Sequence, residues 1–238
     1  MNIAVIFAGG SGVRMNAKDK PKQFLMVHGK PIIVHTIELF EQHEDIDGII
    51  VVCIENWIPY MEEMQYRYRL DKIKKIVPGG ETGQMSIYNG LVAAKEQFGE
   101  EDNIVLIHDG VRPLIDAKTI SDNIATVKEK GSAITCASAK ETFIVVDDED
   151  GLAMIPSRKH SKIAKAPQSF YLKDILEMQE RAISDGYTNM IDSCTLVNHY
   201  GFKVSIVEGP FENIKITTPD DFYMFRALYD ARENQQLG

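Results

Sequence analysis

Short runs of consecutive hydrophobic residues recur along the chain, and each is followed by glycine or by polar residues. The runs at 2–7, 48–54, 103–108 and 132–137 are rich in β-branched residues, and the run at 74–77 is a shorter example. Continuous apolar runs of this length are typical of parallel strands that are covered on both faces of a sheet. We therefore predict that these five segments are buried strands.

Helical periodicity occupies the segments between these runs. Apolar residues recur at helical spacing after Pro31 and from about Gln84, and the segments 116–130 and 173–183 are further helix candidates. The segment 218–221, Thr-Pro-Asp-Asp, is typical of a helix N-terminus. Because strands alternate with helices, we predict an α/β fold with a Rossmann-like, mostly parallel twisted sheet and helices on both faces.

One stretch interrupts this alternation. The segments 141–146 and 152–156 are strand-like and flank the acidic turn 147–151, a pattern that predicts a protruding β-hairpin. The sequence shows no internal repeat and no linker, so we expect a single domain over 1–238, with 139–168 as an inserted arm. The hairpin is either a plain surface excursion or an arm that reaches another subunit.

Composition and charge narrow the classes of function. Hydrophobic residues make up 44% of the 238 residues and charged residues 26%, which is typical of a globular protein. The 26 Lys and Arg against 35 Asp and Glu give a net charge of −9, which argues against nucleic acid or an anionic membrane as a partner. An anionic substrate would therefore have to meet a few placed cations.

The sequence also indicates in which cellular compartment the protein is expected. The three cysteines, Cys53, Cys136 and Cys194, are far apart and lie among apolar residues, which predicts reduced, buried thiols in a cytoplasmic protein. No apolar run approaches the length of a membrane span or of a signal peptide. We expect no membrane partner.

A glycine-rich loop follows the first predicted strand. It consists of Ala8, Gly9, Gly10, Ser11 and Gly12. Glycines at a strand end allow the backbone to approach a ligand, and consecutive N–H groups bind phosphate oxygens, although a tight turn also requires glycine. The loop lacks the Lys-Ser/Thr ending of a P-loop and the spacing of a dinucleotide fingerprint. Arg14 and Lys22 nearby favour a triphosphate, whose charge such cations neutralise.

Three further segments carry polar residues at predicted strand ends, where α/β sheets bind ligands. The segment 79–86 follows a strand and opens a helix, a pattern that a turn with a helix cap also explains. Asp109 directly follows a buried strand, so its charge requires a partner or a metal ion, and Arg112 is a candidate for a simple salt bridge. Lys215 lies in a strand-like run within the segment 213–219, where a lysine is unexpected unless its ammonium binds something.

Taken together, these segments resemble the cytidylyltransferases that act on sugar-alcohol phosphates. In this family the acceptor is 2-C-methyl-D-erythritol 4-phosphate or ribitol 5-phosphate. The resemblance rests on motifs that follow one another in order over nearly the whole chain, at 8–14, 21–24, 79–86, 108–113, 166–170 and 213–219. It implies a CTP-dependent enzyme that joins CMP to a polyol phosphate and releases pyrophosphate, with Mg²⁺ as cofactor.

The resemblance also implies roles for individual residues. The catalytic cations would be Arg14, Lys22, Arg158 and Lys215. The CTP-binding residues would be Phe7, Ala8, Gly9, Gly10, Ser11, Gly12, Gly80, Glu81, Ser86 and Asp109. The acceptor-binding residues would be Asp109, Arg112, Thr142, Arg158, Asp192 and Lys215, with Asp109 also as the metal ligand.

The resemblance gives the hairpin a role as well. In the family, the arginine equivalent to Arg158 comes from the arm of the partner subunit. This implies that the hairpin is a dimerisation arm and that the protein is a homodimer, with CTP and a polyol phosphate as its small-molecule partners.

Three positions depart from the family pattern. Gly83 stands where arginine is usual, Ala166 stands where threonine is usual, and Ile191 replaces a small hydroxyl residue. The last two departures fall on the acceptor side. Trp57 and the segment 35–38, His-Thr-Ile-Glu, favour ribitol 5-phosphate over 2-C-methyl-D-erythritol 4-phosphate as the acceptor.

Two other functions stay open at this point. The first is a sugar-1-phosphate nucleotidyltransferase that uses UTP, GTP or dTTP, because Gly83 departs from the pattern on the nucleotide side. The second is a non-catalytic nucleotide-binding module on the same fold. The presence of all four cations, Arg14, Lys22, Arg158 and Lys215, argues against the second.

Overall fold

The computed structural model describes residues 1–8, 20–99 and 101–235, in which strands and helices alternate. The strands are β1 (Asn2–Ala8), β2 (Met26–Val27), β3 (Lys30–Pro31), β4 (Gly48–Cys53), β5 (Ile73–Pro78), β6 (Ile104–Asp109), β7 (Ser132–Ser138), β8 (Val145–Val146), β9 (Leu152–Met154), β10 (Lys162–Tyr171) and β11 (Ile206–Glu208). The helices are α1 (Ile32–Glu41), α2 (Ile58–Tyr68), α3 (Gly83–Phe98), α4 (Ala117–Lys130), α5 (Leu172–Ser184), α6 (Ser193–His199) and α7 (Pro219–Gln235). Among these described helices, none combines the length and the apolar character that a membrane crossing requires.

Seven of the described strands form one sheet in the order β11-β7-β10-β6-β1-β4-β5. Within it, β10 runs antiparallel to both of its neighbours, and the other adjacent pairs are parallel. The predicted α/β fold with a mostly parallel sheet is therefore confirmed. The carboxyl ends of β1, β4, β5 and β6 meet at one edge of the sheet.

Helices cover both faces of this sheet. On β1, Ile3 and Val5 pack with α3, α5 and α6, whereas Ala4 and Ile6 pack with α1, α2 and α4. All four side chains are completely buried. A strand that is buried on both faces needs apolar residues at every position, which is why these strands appear in the sequence as continuous runs.

The five predicted strands correspond to β1, β4, β5, β6 and β7, and the predicted helices to α1, α3, α4, α5 and α7. The predicted helix start near Thr218 is also correct, since its hydroxyl accepts a hydrogen bond from Asp221 N at 3.3 Å. The strand-like interpretation of the segment 213–219 is wrong, because none of the residues 213–218 lies in a strand and α7 begins at Pro219. A backbone bond from Ile216 N to Val111 O at 3.0 Å links this stretch to the segment after β6.

The predicted hairpin is present, although it is shorter than expected. Strands β8 and β9 pair with each other, and residues 140–150 and 152–155 are exposed. The acidic turn is closed by the Asp147 carboxylate, which accepts from Glu149 N at 3.0 Å and from Gly151 N at 2.8 Å. The segment 139–168 therefore combines an exposed hairpin with a second part, from Lys162 onwards, that belongs to the central sheet.

The three cysteines are free thiols. Cys53 and Cys136 are buried, and burial raises the pKa of each thiol to about 11. Cys194 is only half-buried, which corrects the expectation that all three would be buried. Thiols with a raised pKa are poor nucleophiles at neutral pH, so these two cysteines serve as small apolar core residues.

The packing of α3 against the sheet generates a testable prediction. A Cβ atom at Gly90 would lie 2.6 Å from Val5 Cγ1 and 2.8 Å from Val52 Cγ2, whereas one at Gly83 in the same helix would meet nothing within 4 Å. We expect Gly90→Ala to lower the free energy of unfolding by about 1–3 kcal/mol, because β1 and β4 have to shift. Gly83→Ala is the matched control and should cause no loss. Denaturant unfolding measures both, and equal stability of the two variants would contradict the close packing.

Candidate active site

A cavity of about 340 Å³ opens at the carboxyl edge of the sheet. The ends of β1 and β6 line it, together with residues of α3, of β10, of the start of α6 and of the segment before α7. Five of the predicted site residues line the described part of this cavity, namely Phe7, Asp109, Arg112, Asp192 and Lys215. Of the four segments expected to cluster, 79–86, 108–113 and 213–219 each contribute at least one residue to this cavity, and the glycine loop beyond Ala8 lies outside the described residues.

A buried carboxylate at the end of β6 connects three of these residues. Asp109 is 6% exposed, and its Oδ2 accepts a hydrogen bond from Arg112 Nε at 2.7 Å. Its Oδ1 forms an ion pair with Lys215 Nζ at 2.6 Å. The expectation that Asp109 requires a partner is met by these two cations, one from the following turn and one from a segment more than a hundred residues later.

The protonation state of Asp109 follows from the same contacts. Burial by itself would raise the pKa of this carboxyl, but the charges and hydrogen bonds of Arg112 and Lys215 outweigh burial and hold the pKa well below its usual range. Asp109 is therefore ionised at neutral pH. It keeps the Lys215 ammonium at the cavity, and that side chain is 43% exposed.

His108 contacts the backbone of Arg112, one of the two cations that pair with Asp109. Its ring is completely buried, and burial lowers the pKa of the imidazole to about 4, so it is neutral at physiological pH. Because Nε2 lies 3.1 Å from the carbonyl oxygen of Arg112, Nε2 carries the proton and donates it. Nδ1 is buried without a hydrogen-bond partner among the described residues. His108 thus positions the Arg112 backbone.

The segment around Gly80 forms a turn and a helix cap. Gly80 N donates to Ser86 Oγ at 3.1 Å, and Thr82 Oγ1 accepts from Met85 N at 3.1 Å to cap α3. Glu81 is exposed. Of this segment, the described cavity is lined by Gly83 and not by Gly80, Glu81 or Ser86. A Cβ atom at Gly83 would meet nothing within 4 Å.

Several expected site residues do not line the cavity formed by the described residues. Thr142 is exposed on the hairpin, and Arg158 is exposed in the turn Arg158–His160, and neither lines the cavity among the described residues of its own chain. Lys22 lies half-buried in the turn Lys22–Phe24, and the Ala8 carbonyl accepts from Gln23 Nε2 at 2.7 Å. The remaining predicted residues lie outside the described ones, namely Gly9, Gly10, Ser11, Gly12 and Arg14.

Several cavity residues were given no role by the sequence analysis, among them Lys165 and Gln168, the latter within the motif 166–170. Gln168 accepts from Cys194 N at 2.8 Å and donates to Asp192 Oδ2 at 3.1 Å, so it positions the residue that caps α6. Lys165 is 7% exposed within β10 and also lines the cavity. No pattern marked Lys165 in the sequence, because the strand that carries it, β10, was not predicted.

A sheet of this topology with a cationic cavity at its carboxyl edge is typical of proteins that bind phosphorylated ligands. The family model described as "IspD: 2-C-methyl-D-erythritol 4-phosphate cytidylyltransferase" matches residues 2–230. The chain belongs to this family of cytidylyltransferases and is an enzyme that transfers cytidylyl groups.

Individual relatives agree with this assignment. The chain is 60% identical over 237 residues to the ribitol-5-phosphate cytidylyltransferase of Streptococcus agalactiae serotype Ia, covering 100% of this chain and 99% of that protein. It is 39% identical to the 2-C-methyl-D-erythritol 4-phosphate cytidylyltransferase of Clostridium acetobutylicum, covering 96% of this chain and 97% of that protein. The solved structure of 4-diphosphocytidyl-2C-methyl-D-erythritol synthase from Anaerococcus prevotii matches with a TM-score of 0.83 at 28% identity, covering 96% of each chain.

The Asp109 pair generates a prediction about stability and pH. In Asp109→Asn, Arg112 and Lys215 lose their shared counter-charge, so we expect a loss of about 3–5 kcal/mol in the free energy of unfolding at pH 7. Because the folded-state pKa of Asp109 is depressed, its contribution is present above the unfolded pKa of about 4 and is lost as pH falls below that value. The difference in free energy of unfolding between the wild type and Asp109→Asn should therefore become smaller below about pH 4.

Chemical unfolding at a series of pH values measures this gap. The matched control is Asp122→Asn, which removes the exposed Lys118–Asp122 pair and should leave stability unchanged. A gap that stays constant from pH 7 down to pH 2 would show that the ionised carboxylate is not what stabilises the site.

Proposed function

We propose that the protein is a ribitol-5-phosphate cytidylyltransferase, which joins the CMP part of CTP to ribitol 5-phosphate and releases pyrophosphate. The observation that carries this proposal is the 60% identity, over the full length of both chains, to an enzyme of that name. A second relative with the same name, from Vibrio parahaemolyticus serotype O3:K6, is 51% identical over 237 residues. The relative named for 2-C-methyl-D-erythritol 4-phosphate is more distant, at 39%.

The proposed reaction is an in-line substitution at phosphorus. An oxygen of the acceptor phosphate forms a bond to the α-phosphorus of CTP, and the bond from that phosphorus to the bridging oxygen breaks, so that pyrophosphate leaves with the electron pair. A phosphate monoester is already ionised at neutral pH, since its second pKa is about 6. The reaction therefore needs no strong general base, and the task of the protein is to position the groups and to stabilise charge.

The cavity supplies the means for that task on the acceptor side. Lys215 presents its ammonium beside the carboxylate that holds it, and Arg112 is fixed by the same carboxylate. Both cations are preorganised before a substrate arrives, so little reorganisation is needed when negative charge develops. In this proposal Lys215 binds the acceptor phosphate, and Arg14 and Lys22 neutralise the triphosphate of CTP.

Mg²⁺ is part of the proposal, with Asp109 as its protein ligand. An ionised carboxylate offers about four lone-pair sites, and the two hydrogen bonds to Asp109 leave sites for a metal ion. Magnesium sites built from one or two carboxylates and substrate phosphates are common, so the donor present fits. When bound, the ion would withdraw charge from the phosphates of CTP.

The exposed hairpin supports the proposal of a homodimer. Ile144, Leu152, Met154 and Ile155 are each more than half exposed on or beside its two short strands. Apolar side chains clustered on an isolated hairpin are unfavourable in water, and a second subunit that covers them removes this cost. The Arg158 that follows the hairpin would then complete the cavity of the partner subunit.

The acceptor is tested by measuring pyrophosphate release with each of the four nucleoside triphosphates, with ribitol 5-phosphate or 2-C-methyl-D-erythritol 4-phosphate as acceptor. We expect turnover with CTP, and kcat/KM for ribitol 5-phosphate at least about tenfold above that for the branched acceptor. Lys215→Met should lower kcat/KM by about 100-fold or more, while the surface control Lys118→Met keeps the wild-type value. A preference for the branched acceptor, or for UTP, GTP or dTTP, would replace the proposal with the corresponding alternative.

The shared site is tested by mixing two inactive variants, Arg158→Ala and Lys215→Met. If Arg158 acts in the partner's cavity, each mixed dimer contains one intact site, which joins Lys215 of one chain to Arg158 of the other. Statistical exchange then restores roughly a quarter of the wild-type activity per chain, because half of the dimers are mixed and half of their sites are intact. Activity that stays at the level of the separate variants, in a sample that sedimentation shows to have exchanged, would place Arg158 in its own chain's site or outside it.

A further inference from the structure

Lys165 is a buried cation in the wall of the cavity that the proposed mechanism does not use. It lies in β10, where the pairing with β7 shifts register between Ala164 and Gln168. The irregular stretch leaves Ala164, Lys165 and Ala166 lining the cavity. Burying an ammonium is costly unless it gains partners of its own.

The partners of Lys165 are neutral. Its Nζ donates to the carbonyl oxygen of Phe211 at 3.0 Å and to that of Asn213 at 3.1 Å. An ammonium has three N–H donors, and within the described part of the chain the third has no acceptor. These two bonds fix the ammonium at the cavity wall and leave one donor for a ligand.

The charge of Lys165 is also uncompensated, in contrast to that of its neighbours. Arg112 and Lys215 share the carboxylate of Asp109, whereas no carboxylate of the described residues forms an ion pair with Lys165. The charged groups that face it are Arg112 on the turn after β6, Glu212 on the segment before α7, and Lys140 at the base of the hairpin. Burial lowers the pKa of Lys165 to about 8; Arg112 and Lys140 act in the same direction, and Glu212 opposes them.

We propose that Lys165 is a further substrate-binding residue, which donates its third N–H to the phosphate of the acceptor polyol phosphate beside Lys215. This inference rests on the proposed function, since it assumes that a polyol phosphate occupies the cavity. A dianionic phosphate supplies the counter-charge that the described residues do not give Lys165, so the bound state offsets the cost of burying the ammonium. Only the protonated form of Lys165 binds in this way.

The first test compares Lys165→Met with Lys140→Met. Both lysines contact the Phe211 ring, with Nζ atoms at 5.3 Å and 3.9 Å from its centroid, but only Lys165 lines the cavity. We expect Lys165→Met to raise KM for ribitol 5-phosphate by about tenfold or more while KM for CTP stays within about twofold. Lys140→Met should leave both constants unchanged.

Other outcomes of this comparison overturn the inference. If Lys165→Met raises KM for CTP instead, Lys165 serves the nucleotide. If it lowers the thermal midpoint and kcat while KM for the acceptor stays constant, Lys165 only holds the segment that carries Lys215. Thermal unfolding of both variants is measured alongside, so that loss of fold is recognised.

The second test uses pH. With a pKa of about 8, the charged fraction of Lys165 falls from roughly 90% at pH 7 to roughly 10% at pH 9. Over this range the acceptor phosphate stays dianionic, so KM for the acceptor should rise about tenfold in the wild type. The rise should be absent in Lys165→Met and in Lys165→Arg, whose guanidinium stays charged. The same rise in all three proteins would overturn the inference.

The kinetic measurements are made with both ribitol 5-phosphate and 2-C-methyl-D-erythritol 4-phosphate, which separates the two claims. If the wild type turns over only the branched acceptor, the proposed function fails, and Lys165 is judged by KM for that acceptor. If ribitol 5-phosphate is the substrate and its KM is the same in the wild type and in Lys165→Met, the inference fails and the proposed function stands.

Discussion

The cavity depends on one buried carboxylate. Asp109 lies at the end of a strand that is covered on both faces, and it holds two cations that reach it from different parts of the chain. Burying such charges costs free energy, and a well-packed apolar group in their place is often no less stable. What the ion pairs provide here is position, because Lys215 lies in a stretch that no strand or helix of the described residues fixes. The sheet thus determines where the cation stands.

Side-chain donors replace the missing strand in this stretch. The carbonyl of Asn213 accepts from Arg112 Nη1 at 2.9 Å and from Lys165 Nζ at 3.1 Å, and its side-chain amide donates to the Ala166 carbonyl at 2.7 Å. In a β-strand, the carbonyl of Asn213 would instead accept a hydrogen bond from the backbone of a neighbouring strand. By anchoring the stretch through cations, the fold brings those cations to the cavity wall, so the contacts that order the segment also assemble the charge of the site.

The sequence predicts the parts of the molecule that are coded locally. Five strands follow from continuous apolar runs, and the start of α7 from a capping pattern at Thr218. In contrast, α2 buries only Met61 and Met64, too narrow a stripe to recognise, and β10 carries lysines within a strand. Asp109 was predictable because a charge after a buried strand demands a partner. The position of Lys165 in the cavity wall was not, because its acceptors are backbone carbonyls some 46–48 residues away, which no side-chain pattern marks.

The charge of the cavity also explains how an acidic chain attracts anions. Among the described residues, three cations line it, Arg112, Lys165 and Lys215, against the carboxylates of Asp109 and Asp192. Asp192 gives its oxygens to Thr195 N and to the Gln168 amide, both neutral donors, so its charge is held at the start of α6. The excess of positive over negative groups is therefore local to the cavity. It depends on which groups line the cavity and not on the net charge of the chain. A net charge of −9 is compatible with the proposed binding of phosphate in this cavity, because electrostatic recognition depends on the few groups that face the ligand, not on the sum over the surface.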